Sequence, residues 1–402
     1  MNGVAPFRRG AWRLSAWCAT ALVAGCSMFS GMGETVSDSI SGTYDWVFGA
    51  SGPKPSELPV FKPTATLKVL WQVGMGPMER SLLVPVVTPR GIAVANAAGT
   101  VAMLNAADGK AVWRTDTKSK LTGGVGSDGQ LTAVGSARGE VIALDGEGKE
   151  RWRAQLSSEV LAPPQIADGI VVTRSGDNRV FGLDANTGLR LWFYQRQLPP
   201  LAIRSVAGVS ATRGGVFVGF PGGRLVALAV ANGGLGWEAA VALPRGATEL
   251  ERIADIASTP MVDARAVYAV AFQGRIGAFD LIKGQQLWAR DLSSYAGLGL
   301  DASNVYVTDD KGAIHALDKA AGASMWKQDK LAGRQPTAPL ALGRFVVVGD
   351  LQGYVHVLSR DDGAFVARIA TDGSPIASAP VLLDDSFVVQ TRNGGVYALT
   401  LQ

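Results

Sequence analysis

Apolar residues alternate with small or polar ones in a short segment that returns along most of the chain. It opens on Gly, alternates to Leu-Asp or a variant, passes a turn containing Gly, and reaches Trp fourteen positions after its start, as from Gly99 to Trp113. Copies run from Gly139 to Trp152 (one residue shorter), Asn178 to Trp192, Gly223 to Trp237, Gly274 to Trp288 and Gly312 to Trp326. A seventh starts at Gly353 but has Ala367 at the Trp position, and an eighth starts at Gly395 and reaches Gln402 before any Trp. Alternation with period two predicts strands. Further apolar β runs precede these copies, as at 170–174, 216–219, 345–349 and 387–391. Several are introduced by proline, at Pro163, Pro260, Pro339 and Pro380, a position at the start of an inner strand where no ladder donor is required.

Successive Trp positions, counting Ala367 as the last, lie 42, 39, 40, 45, 51, 38 and 41 residues apart. Units of about 40–50 residues suit four short antiparallel strands, the blade of a β-propeller. The eighth Trp is Trp71, in a strand at 67–73 with no repeat start before it. Pairing that strand with the one from Gly395 builds the last blade from N- and C-terminal strands and removes the open edge an unclosed ring would carry. The expected fold is all-β, an eight-bladed propeller over 67–402. Asp184 followed by Gly188 illustrates the turn, since Asp bonds its own backbone and Gly accepts positive φ. Each Trp offers a large apolar surface for wedging one blade against the next.

The first residues set the compartment. Arg8, Arg9 and Arg13 precede an apolar stretch from Leu14 to Gly25, too short to span a bilayer and laid out as a secretory signal. It ends Val23-Ala24-Gly25-Cys26, which resembles the lipobox of bacterial lipoproteins. That resemblance implies a signal peptide at 1–25 and a diacylglycerol on the Cys26 sulfur; the other reading is an ordinary signal peptide that contains a cysteine. Loss of 1–25 removes Cys18 and three arginines, leaving one cysteine and lowering the formal charge from +4 to +1. The basic pI therefore belongs to the leader and is no sign of nucleic-acid binding. Ser27 stands where many inner-membrane lipoproteins carry Asp, so similarity to that sorting rule implies the outer membrane, on its periplasmic side. Residues 26–66, rich in Ser, Gly and Pro, read as a flexible tether. Within it Tyr44, Trp46 and Phe48 form an aromatic run that either docks or rests loosely on the body.

The residues after each Trp, such as Arg114, Arg153 and Glu238, exclude the Trp-Asp ending of WD-type blades. The Ala-Leu-Asp, turn Gly and Trp pattern instead resembles the repeat of quinoprotein alcohol dehydrogenases, which are also eight-bladed. This resemblance raises an alternative function, a periplasmic dehydrogenase dependent on pyrroloquinoline quinone. Those enzymes need a calcium-binding acidic cluster with an Asp base, and many use a vicinal disulfide that one cysteine cannot form. Most acids here fall at repeat-equivalent turns, as Asp145, Asp184, Asp280 and Asp318 do. His315 and His356 occupy the same place in two repeats and read as blade packing; a metal site needs three or four convergent groups. Gly214-Gly215 and Gly222-Gly223 lack the Lys and helix of a phosphate loop. No catalytic, metal or cofactor site is expected.

Lipobox, tether and bare propeller together make the chain, over residues 20–402, similar to the BamB family, lipoprotein subunits of the outer-membrane β-barrel assembly machine. The resemblance is most specific in two long connections, 197–205 and 248–256, where the repeat spacing stretches. It implies that Leu201, Ile203, Arg204 and Asp255 bind the periplasmic part of BamA, the barrel-forming subunit, and reach the other subunits through it, with unfolded outer-membrane proteins a further partner class. Ala257 departs from the pattern, since related chains can carry an acid there. Without the family, apolar residues mixed with Arg and Asp suit either a partner interface or insertions folded onto the ring. A sugar or peptidoglycan binder would show aromatics clustered on one face, whereas aromatics, at 7% of residues, are mostly taken up by the Trp positions.

Overall fold

The computed structural model describes residues 54–402 except Leu198, Arg204 and Ser205; the expected signal peptide, Cys26 and the run from Tyr44 to Phe48 lie outside the described residues. Strands and turns account for the described residues, with no helix, and they form eight sheets closed into a propeller. Blades 1 to 7 span 86–116, 121–155, 165–194, 209–240, 261–291, 298–328 and 340–370. Blade 8 takes three strands from 381–401 and its outermost strand from Leu67–Gly74, with Leu67 opposite Leu401 and Gly74 opposite Gly395. The expected closure by both ends of the ring is therefore present. Pro260, Pro339 and Pro380 stand immediately before the innermost strands of blades 5, 7 and 8. Blade 2 gains a fifth strand, because Leu82–Leu83 pairs in parallel with Gly123 and Gly124.

Alternation on each strand sends apolar side chains to both faces of a blade, so the core is divided into layers between neighbouring blades. In one layer Val270, Ile276 and Trp288 of blade 5 meet Val305, Val307 and Leu317 of blade 6. In the closing layer Ile92, Val94 and Leu104 of blade 1 meet Val388, Val396 and Trp71 of blade 8. Fully burying each aliphatic side chain stabilises the ring by about 1.5–3 kcal/mol.

The repeat Trp residues join these layers at the rim. The Trp71 indole N–H donates to Ala106 O at 2.9 Å, Trp152 to Ala185 O at 2.9 Å, and Trp192 to Val230 O at 2.8 Å. Trp237 reaches Leu281 O at 3.0 Å, Trp288 Lys319 O at 2.9 Å and Trp326 Arg360 O at 2.7 Å. Each acceptor sits in the hairpin turn of the next blade, and the indole lies on that turn's glycine. At Gly284, with φ +66°, a Cβ would stand 2.4 Å from the Trp237 ring. Glycine is required there both for the left-handed backbone and for the ring above it.

Two junctions differ, each for a local reason. Trp113 also rests on a turn glycine, Gly148, but its indole nitrogen has no hydrogen-bond partner among the described residues. The blade 2 turn is the one shortened by a residue: Gly148 N–H bonds back to Asp145 O three positions away, whereas Gly188 N–H reaches Asp184 O across four. The tightened turn no longer presents the carbonyl the other junctions use. At the second, Ala367 faces blade 8, whose outer strand arrives from the other end of the chain and makes no hairpin with the strand before it. No turn glycine exists there to receive a Trp.

Residues 54–66 run beside this junction. Ser56 N–H donates to Ala332 O and its hydroxyl to Lys330 O, both at 3.0 Å; Thr64 N–H donates to Val366 O at 3.0 Å and Thr66 N–H to Gln402 O at 2.9 Å. Phe61 stacks on Phe365 with centroids 5.4 Å apart, under the Arg368 guanidinium. This part of the expected tether is thus held along blade 7, where the missing Trp leaves apolar surface to cover. The two histidines are also more than packing. His315 Nε2 meets Asp309 Oδ2, and buried His356 Nε2 meets Asp350 Oδ2, both at 2.9 Å. Asp350 also accepts from Arg334 Nε at 2.8 Å, and Arg334 Nη1 donates to Ser56 O at 2.9 Å, so the cluster pins residue 56. Burial pushes the His356 imidazole below its ordinary pKa, against the pull of Asp350. Burial would raise Asp350, but hydrogen bonds from His356, the Tyr354 N–H and Arg334 hold it below the usual carboxylate range.

Candidate functional site

The two connections singled out by the sequence leave blades 3 and 4 and converge. The first runs from 195 to 208 and the second from 241 to 260. Their junction is the Asp255 carboxylate, which accepts the Ile203 N–H at 2.7 Å through Oδ2 and the Gly222 N–H at 2.9 Å through Oδ1. The Phe272 N–H bonds to the Asp255 carbonyl at 2.8 Å. Asp255 therefore ties together both connections and a blade 4 turn.

The structure brings Ile203 and Asp255 together and leaves Leu201 44% exposed. It does not leave Asp255 on the surface: the residue is only 2% exposed. Its carboxylate is used inward, since both oxygens already serve backbone donors. Arg204 lies outside the described residues. Ala257 is buried and lines the central cavity.

Beneath the junction is a residue the sequence reading missed. Arg174, buried at the end of the otherwise apolar run 170–174, donates to Gly219 O at 2.8 Å and Ala207 O at 3.3 Å, and also to Asn178 Oδ1. Its guanidinium lies 5.2 Å over the Phe220 ring. Burial pushes its pKa down to about 10, with the nearby Asp255 charge acting against that shift. It remains a cation at neutral pH, and Asp255 supplies a counter-charge. The signal was available: Asn178 stands where other repeats begin with Gly, adopts φ +64° as Asn tolerates, and accepts the Arg174 bond.

The second connection has an exposed tip bearing Leu243 and Leu250. Its turn is braced by Glu251, whose carboxylate accepts the Ala247 and Thr248 N–H groups while Glu251 N–H donates to Thr248 Oγ1. This is the reciprocal arrangement of a capping box. Those backbone hydrogen bonds hold the Glu251 carboxyl below its usual range.

At the ring centre is a cavity of about 430 Å³ lined largely by small residues such as Ala257, Ser258, Gly297, Ala338, Ala377 and Ser378. Among the described residues Arg392 is the one charged residue of its lining, and none of them brings a carboxylate to it. A calcium-bound quinone needs acidic oxygens at this place, and the lining does not fit that group.

Comparison with known proteins agrees with the repeat. The family model described as outer membrane protein assembly factor BamB matches residues 97–328. The chain is 44% identical to the outer membrane protein assembly factor BamB of Nitrosomonas eutropha, over 95% of this chain and 93% of that protein. With the crystal structure of BamB from Moraxella catarrhalis it shares 28% identity and a TM-score of 0.76, covering 83% of this chain and all of that one. The quinohemoprotein alcohol dehydrogenase of Comamonas testosteroni shares the fold alone, with 14% identity, a TM-score of 0.65, and 83% of this chain matched to 76% of the enzyme. With a repeat-built ring, a family model over more than half of the chain and a relative matched along 95% of it, the chain belongs to the BamB family of outer membrane protein assembly factors.

Proposed function

We propose that the chain is a non-catalytic scaffold of outer-membrane protein assembly, anchored in the outer membrane by a lipid on Cys26 and binding the periplasmic part of BamA where its two long connections meet. The observation that carries this reading is Leu201, an exposed aliphatic residue on a connection whose backbone is held two residues later by buried Asp255. A backbone position already held in place loses less freedom on binding, so apolar contact beside it converts more fully into affinity. Leu201 and Ile203 supply the apolar part of the surface, Arg204 a donor for a partner carboxylate or carbonyl, and Asp255 the support beneath them. Other assembly subunits are reached through BamA. The quinone alternative is not favoured, since the described residues of the central cavity supply none of the acids it requires.

Purification of the tagged chain from detergent-solubilised envelopes, with intact-mass analysis of its N-terminus, tests this reading. BamA should co-purify, and the mature chain should begin at a diacylated Cys26. Recovery without BamA would contradict the scaffold role; an unmodified Cys26 would contradict the anchor.

A further inference from the structure

Before the innermost strands of blades 5, 7 and 8 a small hydroxyl residue stands two places ahead of proline: Ser258 before Pro260, Thr337 before Pro339 and Ser378 before Pro380. All three hydroxyl residues line the central cavity of about 430 Å³. Many of their neighbours on the wall are Ala or Gly, side chains too short to fill the space around the axis. A void of ligand size remains. Longer aliphatic side chains, among them Leu82, Met261, Leu298 and Leu351, complete a wall that is mainly apolar.

The hydroxyls of this wall are not all committed. Thr337 Oγ1 accepts the Gly349 N–H at 3.0 Å and donates to Ala338 O at 3.1 Å, and Thr259 Oγ1 accepts the Gly208 N–H at 2.9 Å. Ser378 is 6% exposed, and its buried Oγ has no hydrogen-bond partner among the described residues. In the same blade Gln390 Oε1 is likewise buried and unpartnered, although the amide nitrogen donates to Ala95 O at 3.0 Å. Folded proteins leave few such atoms without a partner. Arg392 comes from the chain paired with the Ser378 segment: Thr391 bridges Ile376, and the Arg392 N–H donates to Pro375 O at 2.8 Å. The Arg392 side chain is exposed and so stands at the mouth, where Nη1 reaches Glu79 O only at 3.5 Å. The cavity therefore joins an apolar wall to one cation and one buried hydroxyl on the blade 8 side.

We propose that the central cavity is a binding site for a small amphiphilic acid, with one carboxylate held by Arg392 and the Ser378 hydroxyl and an unbranched aliphatic tail lying along the apolar wall. Three features select this class. A single cation with no carboxylate of the lining to neutralise it calls for a ligand with one negative charge, and the Arg guanidinium matches a carboxylate in shape and donors. The aliphatic wall rewards a tail that is removed from water. The wall is also a poor host for a polypeptide, because every peptide unit needs its donor and acceptor satisfied, while Thr259 and Thr337 are already engaged. The proposal is independent of the partner surface, since Leu201 and Ile203 are not part of the cavity wall.

The test is isothermal titration calorimetry of the purified mature chain with decanoate, decanol, decylammonium and butanoate. Decanoate should bind saturably at one site. Decanol should bind about tenfold more weakly for want of the charge-assisted hydrogen bond, decylammonium more weakly still beside a like charge, and butanoate more than about tenfold more weakly for want of buried methylenes. Arg392→Gln should lower decanoate affinity about tenfold and leave decanol affinity unchanged. Ser378→Ala should weaken decanoate without lowering the thermal unfolding midpoint, because the hydroxyl has no bond in the folded ring to lose. Ala377→Trp should fill the cavity and abolish binding of every probe, with Ala296→Trp as the second filling variant if the first fails to fold. Arg138→Gln, an exposed cation of blade 2 outside the lining, should bind decanoate as wild type does. Absence of saturable decanoate binding, equal affinity for decanoate and decanol, full decanoate affinity in Arg392→Gln, or binding that survives in a folded filling variant would each overturn the proposal.

Discussion

The rim of the ring and the face where the two long connections meet are built on opposite plans. Around the rim one contact is made six times, an indole N–H donating to a carbonyl in the next blade's turn. On the face nothing repeats: Asp255 bonds Ile203 and Gly222 in an arrangement no other blade pair shows among the described residues. Repetition serves closure, which demands the same fit at every junction. The partner surface proposed for this face needs a shape the repeat does not supply, and two lengthened connections braced by Asp255 depart from the repeat there. Stability and recognition should therefore separate under mutation.

The largest expected effect is at the rim. Trp288→Ala removes a buried indole and its hydrogen bond to Lys319 O, and should cost about 3–5 kcal/mol in denaturant unfolding. Leu201→Ala should change the same measurement by less than about 0.5 kcal/mol. Equal losses would erase the distinction between the regions.

Asp255 stands between the two plans. Asp255→Ala strips two backbone N–H groups of their acceptor and leaves Arg174 buried without its counter-charge. A cost of about 2 kcal/mol or more is expected, together with weaker BamA capture. A variant that lost capture at full stability would make Asp255 a contact residue instead of a brace.

Within the rim, Trp113 gives a finer comparison. Trp152→Phe should cost about 1 kcal/mol more than Trp113→Phe, because only the Trp152 indole has a hydrogen bond to lose. Equal costs would show that the short blade 2 turn is without energetic consequence.

The smallest effect is on pH dependence. The His356 imidazole is held below its ordinary pKa in the folded ring, so the unfolded chain binds the proton more readily. The stability this contributes is present in full above the unfolded pKa of about 6.5 and falls as pH drops below it toward the folded value. His356→Gln should flatten the slope of unfolding free energy between about pH 7 and 5 relative to wild type. An unchanged slope would assign the acid sensitivity elsewhere.

What repeats was legible in the sequence. Period-two alternation, the turn Gly and the Trp spacing gave all eight blades, and Trp71 with Gly395 gave the closure, because each depends on residues within one unit or on counting units. Contacts between distant segments were not legible. The inward use of Asp255 depends on a bond to Ile203 across 52 positions, and the hold on residues 54–66 depends on Arg334 and Arg368, far along the chain. Composition marked that stretch as tether because its backbone donors are satisfied by the connection after blade 6, by blade 7 and by the end of blade 8, and not by a pattern of its own.

The most direct test of the separation between rim and face is capture of BamA by the double variant Leu201→Ala, Arg204→Ala, measured beside its thermal unfolding midpoint. Capture should be lost while the midpoint stays within about 2 °C of wild type, the change expected for substitutions costing under 0.5 kcal/mol. Capture that survives, or that disappears only as the midpoint collapses, would contradict the account.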